Sequence, residues 1–299
     1  MKTGIWIGSV ADDYTNGRIA IDDTLGAMSV AMFKVSDGLN EFYTPEDSAI
    51  WANGVYRPQG IDFMPQGNGR GFSLAEARQE GLNAGRHAAA TGSEFILDLE
   101  PDPKYYWQGI PGTPHAFCQG YEAASSGIKL RLNTDARNPG INLSEWALEP
   151  IVGVWHTQEY AATFGESHEL WEERGIGPLL NLGVPKSRIY PMLSNYMAGD
   201  GYPSMPPDAL EASIRYYAER GYPGICLFRR MTMDGKQVER LLAMPDPWAS
   251  TTPPQPPQPP PIDPLLKIRL EPVGAPTFDF TEDPAIREQR QHIRIVQDA

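Results

Sequence analysis

Eight short apolar segments, each followed by a helix signal or by room for a helix, run through residues 4–249 of this 299-residue chain. Helix starts are indicated by capping patterns at Ser73 and Asp208 and by Thr-Pro pairs at Thr44 and Thr113. This alternation indicates an α/β fold, and specifically a (β/α)8 TIM barrel. The strand candidates are GIWIGSV (4–10), SVAMFKVSDG (29–38), GIDFMPQG (60–67), EFILDLEPD (94–102), IKLRLNT (128–134), IVGVWHTQ (151–158), RIYPMLSNY (188–196) and GICLFRR (224–230).

The polar residues of these strands favour the barrel over its rival, a doubly wound open sheet. A parallel sheet that is covered on both faces should read as continuous apolar runs. Here polar side chains recur on the face opposite to the apolar positions, and in a barrel that face points inward and toward the C-terminal mouth. The residues on this face are Lys34, Asp62, Asp98, Glu100, Arg131 and Asn133.

The fourth segment, EFILDLEPD, places two carboxylates at the end of a buried strand. Successive side chains of a strand point to opposite faces, so Asp98 and Glu100 share one face, roughly 7 Å apart. Glycoside hydrolysis needs one carboxylic acid to protonate the leaving oxygen and a second group to stabilise or attack the sugar cation. Glu100, nearer the mouth, suits the proton donor, and Asp98 could raise its pKa by like-charge repulsion.

Two interpretations of this pair remain open at the level of the sequence. In the first, Arg131 on the fifth strand holds Asp98 ionised and the pair is catalytic. In the second, the two acids form a buried salt-bridge cluster with Lys34 and Arg131 and have no chemical role.

Two motifs resemble those of family 25 glycoside hydrolases, the Chalaropsis-type N-acetylmuramidases of bacteria and phages. FKVSDG (33–38) ends the second strand and LDLEPD (97–102) ends the fourth, in the order and spacing that this family shows over residues 4–230. The resemblance implies a barrel that cleaves peptidoglycan, with Glu100 as the general acid and Asp98 as the partner that stabilises the intermediate. The family opens its first strand with Gly-Ile-Asp, whereas this chain has Trp6 in place of that acid.

Further polar and aromatic residues at the strand ends are candidates for binding a sugar. The aromatic cluster after the fourth strand could form a wall against which sugar rings stack, or it could pack onto neighbouring loops. Trp155 is expected in the core. The candidate substrate-binding residues are Lys34, Asp37, Asp62, Tyr105, Tyr106, Trp107, Arg131, Asn133, His156, Gln158, Asn195 and Tyr196.

The composition excludes several other function classes. A net charge of −13 argues against binding to nucleic acid or to an anionic membrane. The five histidines show no metal-ligand spacing, so neither a metal nor another cofactor is expected. Two distant cysteines predict thiols rather than a disulfide framework. The N-terminus does not have the character of a signal peptide, and no apolar run is long enough to span a membrane. We therefore expect a virion-associated protein or one exported by another route, and otherwise a cytoplasmic one.

A proline-rich segment divides the chain into a barrel body (1–249), a linker (250–264) and a tail (265–299). The linker sequence TTPPQPPQPPPIDP should form an extended polyproline-II spacer. The tail is too small for a core of its own, and contains two strand-like stretches, KIRL (267–270) and IRIV (293–296). It is expected to dock on the barrel, to pair with another subunit by strand addition, or to remain disordered.

Three functions are compatible with these features. The first is a glycoside hydrolase that acts on peptidoglycan or a related amino-sugar polysaccharide. The second is a non-catalytic carbohydrate-binding or structural protein, such as a virion adhesion protein, in which the tail attaches the barrel to other subunits. The third, a cytoplasmic sugar-processing barrel, gives no reason for the linker and tail.

Overall fold

The computed structural model describes residues 3–7, 14–15, 18–19, 28–100, 107–137, 139–194, 205–228, 235–249, 268–272 and 293–297. The chain divides into two compact units, residues 1–251 and 252–299. The division into a barrel body, a linker and an attachment tail stays a prediction.

Eight parallel strands form the main part of the sheet of the first unit, and a two-residue strand, Asn40–Glu41, pairs in antiparallel with the end of the second of them. Each of the eight pairs in parallel with the next along the chain, and the first pairs with both the second and the eighth, so that the order of pairing closes. This arrangement is consistent with the expected (β/α)8 barrel. The strands are β1 (Thr3–Ile7), β2 (Val30–Asp37), β3 (Asp62–Asn68), β4 (Phe95–Leu99), β5 (Leu130–Thr134), β6 (Val152–Glu159), β7 (Ile189–Ser194) and β8 (Ile225–Phe228).

Helices follow β2 to β8 within the described ranges. They are α1 (Pro45–Trp51), α2 (Leu74–Thr91), α3 (Thr113–Ala124), α4 (Leu143–Leu148), α5 (Ala161–Phe164), α6 (His168–Trp171), α7 (Gly177–Asn181), α8 (Pro207–Glu219) and α9 (Gly235–Ala243). None of these described helices has the length and apolar character of a membrane-spanning helix.

The capping patterns in the sequence predicted two of the four helix N-termini correctly. Ser73 accepts a hydrogen bond from the backbone of Glu76, and Thr44 forms a capping box with Asp47. Asp208 is not an N-cap, because α8 begins one residue before it. Thr113 is likewise already the first residue of α3, and Gly112 takes the N-cap position.

Successive side chains of the strands point alternately into two apolar clusters, as the sequence pattern predicts. On β4, Phe95 lies against the helices, with its ring 6.3 Å from that of His87 on α2, and the predicted core residue Trp155 is buried on the same side. Ile96 faces the other way, into a smaller cluster that fills the inside of the barrel. Its strand members are Met32, Met64, Ile96, Met192 and Cys226.

The close contact of α2 with α3 fixes β4, the strand between them in sequence. A Cβ added at Gly81 of α2 would lie 2.0 Å from the backbone oxygen of Phe117, and one added at Gly120 of α3 would lie 1.9 Å from that of Arg78. Only glycine allows the two helix backbones to approach so closely. The end of β4 is therefore carried by a tightly packed part of the fold.

The second unit contains the two strands expected in the tail. β9 (Ile268–Pro272) and β10 (Ile293–Gln297) pair with each other in antiparallel register, Leu270 opposite Ile295. The proline-rich linker lies outside the described residues. The role of the tail as an attachment segment stays a prediction.

Because the two units are separately compact, removing the second should leave the first folded. A chain truncated after Ala249 is expected to melt within about 2–4 °C of the full chain, which corresponds to less than about 1 kcal/mol in a domain of this size. Thermal unfolding followed by circular dichroism measures this. A truncated chain that fails to fold would show that the tail completes the core of the barrel.

Candidate active site at the mouth of the barrel

The end of β4 brings Asp98 and Glu100 to the inside of the barrel at its C-terminal mouth. Asp98 is only 4% exposed and Glu100, which directly follows the strand, is half-buried. Leu99 between them belongs to the large apolar cluster that also contains helix residues, so the two acids share the opposite face. The backbone oxygen of Glu100 accepts a hydrogen bond from the amide of Trp107, 3.1 Å away, which fixes the strand end.

Asp98 is held by the neighbouring strand. The Nδ2 group of Asn133, opposite Asp98 in the register of β5, donates a hydrogen bond of 2.6 Å to Oδ1 of Asp98. Burial raises the pKa of Asp98 well above its ordinary value, and the charge of Glu100 raises that pKa further. The hydrogen bond from Asn133 and the charge of Lys34 lower it, but they do not outweigh burial.

Glu100 also accepts a hydrogen bond from an amide side chain, on the strand beyond β5. The Nε2 group of Gln158, from β6, donates to Oε1 of Glu100 over 3.1 Å. Burial raises the pKa of Glu100, the hydrogen bond from Gln158 and the charge of Lys34 lower it, and the charge of Asp135 raises it. A carboxyl with a raised pKa retains its proton at a pH where an ordinary one has lost it, which is what a general acid requires.

Asp37 lies at the end of β2 and is engaged by Arg70. Nε and Nη2 of Arg70 lie 3.0 and 2.8 Å from the two carboxylate oxygens of Asp37. The buried carboxylate of Glu80 accepts hydrogen bonds from the backbone amides of Arg70 and Gly71. Asp37 is therefore held in a fixed position at the rim of the mouth. Its negative charge also raises the pKa of Asp98.

Two candidate residues lie near the N-terminal ends of their strands, away from the mouth. Asp62 begins β3 and pairs with Arg57, 3.5 Å away, and Arg131 near the start of β5 donates from Nε to Glu94 over 2.6 Å. The expectation that Arg131 holds Asp98 ionised is wrong, because Arg131 pairs with Glu94 before β4. The expectation that Asp62 lines the mouth is wrong for the same geometrical reason.

His156 lies inside the barrel, one inward position below Gln158. Its Nδ1 atom is 3.2 Å from Sγ of Cys226. Burial lowers the pKa of His156 well below its ordinary value, and the charge of Arg131 lowers that pKa further, so the imidazole is neutral. His156 therefore supports the floor of the site, while Gln158 reaches Glu100.

Trp107 does not form an exposed sugar-binding wall. It is 2% exposed and packs against Trp146, with ring centroids 5.2 Å apart. The alternative, that this aromatic residue packs onto neighbouring loops, is correct for Trp107. Tyr105, Tyr106, Asn195 and Tyr196 lie outside the described residues.

The structure also places aromatic residues at the mouth that sequence reasoning did not identify. Tyr160, Trp171 and Phe228 belong to the cluster that is continuous with the barrel interior. Tyr160 and Phe228 could have been identified from their positions at the ends of β6 and β8. Trp171 comes from a helix beyond β6, and no strand pattern indicates it.

The described residues hold no group of three or more histidine, cysteine, aspartate or glutamate side chains that could bind a metal ion. The chemistry that Asp98 and Glu100 bring to this part of the mouth is that of two carboxyls and their amide partners. It can deliver a proton and stabilise an adjacent positive charge.

No family model and no curated protein matches the sequence. Solved structures do match, at low identity. A GH18 chitinase from Pseudoalteromonas aurantia is 10% identical, with a TM-score of 0.52, over 81% of this chain and 98% of the other. A chitinase-like agglutinin from Robinia pseudoacacia is 12% identical, with a TM-score of 0.54, over 82% and 99%. A tamarind chitinase-like lectin is 12% identical, with a TM-score of 0.52, over 80% and 98%.

At this identity the likeness concerns the fold alone. It supports a glycoside-hydrolase-like barrel, and it does not support family 25 in particular. Both enzymes and lectins are among the matched structures, so the fold does not by itself separate catalysis from binding. The chain has the barrel fold that these chitinases and chitinase-like lectins share.

The raised pKa of Asp98 predicts how stability depends on pH. Between the ordinary value of 3.8 and the raised value, the folded chain retains a proton that the unfolded chain has lost, so the free energy of unfolding falls as the pH rises. Asp98→Asn should reduce this fall, which thermal unfolding between pH 4 and pH 8 measures.

The matched control is Asp208→Asn, which changes an exposed carboxyl on α8. It should leave the pH dependence of the wild-type chain in place. An Asp98→Asn chain with the same pH dependence as the wild type would contradict a buried, protonated Asp98.

Proposed function

We propose that this chain is a glycosidase that cleaves an amino-sugar polysaccharide by carboxylate acid catalysis. Glu100 is the proton donor and Asp98 is its partner. The observation that carries the proposal is the pair itself. Two carboxyls at the end of one barrel strand both have a raised pKa, and each accepts a hydrogen bond from an amide, on β5 for Asp98 and on β6 for Glu100.

In the proposed reaction Glu100 gives its proton to the oxygen that leaves the scissile bond. Gln158 orients the carboxyl of Glu100 and Asn133 orients that of Asp98. Asp98, the partner of Glu100, stabilises the intermediate through a substituent of the sugar, to which its protonated carboxyl can donate a hydrogen bond. The ammonium group of Lys34 balances part of the negative charge of the pair, as its effect on both pKa values indicates.

The substrate class is supported from two directions. Among the matched structures, chitinases share the fold, and one of them, from Ostrinia furnacalis, is a complex with allosamidin. The motifs FKVSDG and LDLEPD resemble those of muramidases. Both point to a polymer of N-acetylated amino sugars, and the muramidase motifs make peptidoglycan the first substrate to test.

A second function, carbohydrate binding without cleavage, is favoured by one specific observation. Trp6 stands where the muramidase pattern has an aspartate, and in the β1–β2 register it lies opposite Met32. A barrel that lacks this acid would still bind the sugar but would not cleave it. The agglutinin and lectin among the matched structures show that the fold also occurs in sugar-binding proteins.

The linker and the tail would serve attachment in either case. Residues 253–264, as a polyproline-II segment, would span about 37 Å at ~3.1 Å per residue. That distance would let the tail reach another subunit, for instance in a virion or another extracellular assembly, without obstructing the mouth.

The decisive experiment measures the release of reducing sugar from peptidoglycan and from chitin by the purified full chain. Glu100→Gln should lower the rate by at least about 100-fold, because an amide preserves the shape of the side chain but cannot deliver a proton. Binding to the same polymers should remain.

Glu122→Gln, which changes an exposed carboxyl on α3, is the control and should leave the rate unchanged. An active wild type whose rate is the same after Glu100→Gln would exclude Glu100 as the acid. A wild type that binds these polymers and cleaves none of them would establish the binding function instead.

A further inference from the structure

A third carboxyl, that of Asp135, lies beside Glu100 at the mouth of the barrel. In the register of β4 and β5, Asp98 lies opposite Asn133. Glu100 and Asp135 each come two residues later, directly after the end of their strand, and therefore point to the same face as the pair below them. The two carboxyls are neighbours, one step nearer to the solvent than Asp98.

The hydrogen bond that holds Glu100 confirms this proximity. β5 lies between β4 and β6 in the sheet, yet Nε2 of Gln158 on β6 reaches Oε1 of Glu100 over 3.1 Å. The residue that ends β5 at this level, Asp135, is therefore close to both side chains. The charge of Asp135 accordingly raises the pKa of Glu100.

The carboxylate of Asp135 is held in one orientation by Arg137. Oδ1 of Asp135 accepts hydrogen bonds from the backbone amide and from Nε of Arg137, at 3.1 and 2.6 Å, and Oδ2 accepts from Nη2 at 2.7 Å. The guanidinium of Arg137 is itself fixed, 4.0 Å from the centre of a ring of the buried Trp171. The side chain of Asp135 nevertheless remains 20% exposed, so it is accessible from the mouth.

Neither member of the proposed acid pair supplies a negative charge to the sugar. Glu100 must carry a proton to act as an acid, and burial keeps Asp98 protonated by raising its pKa. The sugar nevertheless becomes positively charged as the glycosidic bond breaks. A fixed carboxylate at the same level as Glu100 is placed to balance that charge.

We infer that Asp135 is a third catalytic carboxyl of this site, and that its negative charge stabilises the positive charge that develops on the sugar. This inference rests on the proposed function. Glu100 gives its proton to the leaving oxygen and Asp98 donates a hydrogen bond to a substituent of the sugar, whereas Asp135 contributes charge and neither exchanges a proton nor forms a bond. Arg137 is a positioning residue, because it acts through Asp135.

The test measures the release of reducing sugar from peptidoglycan and from chitin by variants of the full chain. Asp135→Asn keeps the shape of the side chain and removes its charge, Asp135→Ser is a second neutral variant, and Asp135→Glu keeps the charge. The neutral variants should lower kcat by about 100-fold or more and change KM little, because the charge on the sugar develops only in the transition state. Asp135→Glu should retain a larger part of the rate.

The dependence of the rate on pH separates an electrostatic role from a structural one. The charged or titratable groups of the described residues that act on Glu100 are those of Lys34 on β2, Asp98 on β4 and Asp135 after β5. The rate falls as the pH rises through the pKa of Glu100, and Asp135→Asn lowers that pKa. This fall should therefore begin at a lower pH in Asp135→Asn and stay in place in the control Asp208→Asn, which changes an exposed carboxyl on α8.

Three results would overturn the inference, and they are distinguishable. Folded neutral variants with the kcat of the wild type would exclude Asp135 and leave the proposed function standing. A loss of rate that is equal in Asp135→Glu, with no shift in the pH dependence, would assign Asp135 a structural role. A wild type that cleaves neither polymer would exclude the proposed function, and the catalytic role of Asp135 with it.

Discussion

The closure of the parallel sheet is the constraint on which the site depends. Because β1 pairs with both β2 and β8, every second side chain of β2 to β8 is confined to one interior. The apolar strand residues that fill this interior are Met32, Met64, Ile96, Met192 and Cys226. Asp98 lies directly above this apolar floor, and its burial there raises its pKa.

Hydrogen bonds from amide side chains lower the free-energy cost of burying these carboxyls. An unpaired buried carboxyl would cost far more than one that accepts a hydrogen bond. Asn133 and Gln158, from β5 and β6, supply one donor each to Asp98 and Glu100. The two acids thus differ in depth and in partner, which is the arrangement by which a pair of carboxyls takes different roles.

The sequence predicted which face of a strand carries the polar residues, but not which end. Alternation alone places Asp98, Glu100 and Asn133 inside the barrel, and the structure agrees. Asp62 and Arg131 obey the same alternation, yet they lie near strand starts and pair with charged residues there. The burial of Trp107 and the position of Trp171 in the cluster at the mouth depend on how loops and short helices pack, and no strand pattern contains that information.

Because chitinases and lectins share this fold, the chemistry of the chain depends on the residues at the mouth of the barrel. The most direct measurement of their role is a crystal structure of the Glu100→Gln chain with a bound amino-sugar oligomer. We expect residue 100 to lie within about 2.6–3.2 Å of a glycosidic oxygen, the reach of a proton donor, with Asp98 deeper in the mouth on the same side of the sugar. An oligomer bound away from residue 100, or one whose glycosidic oxygens all point away from it, would contradict the central claim.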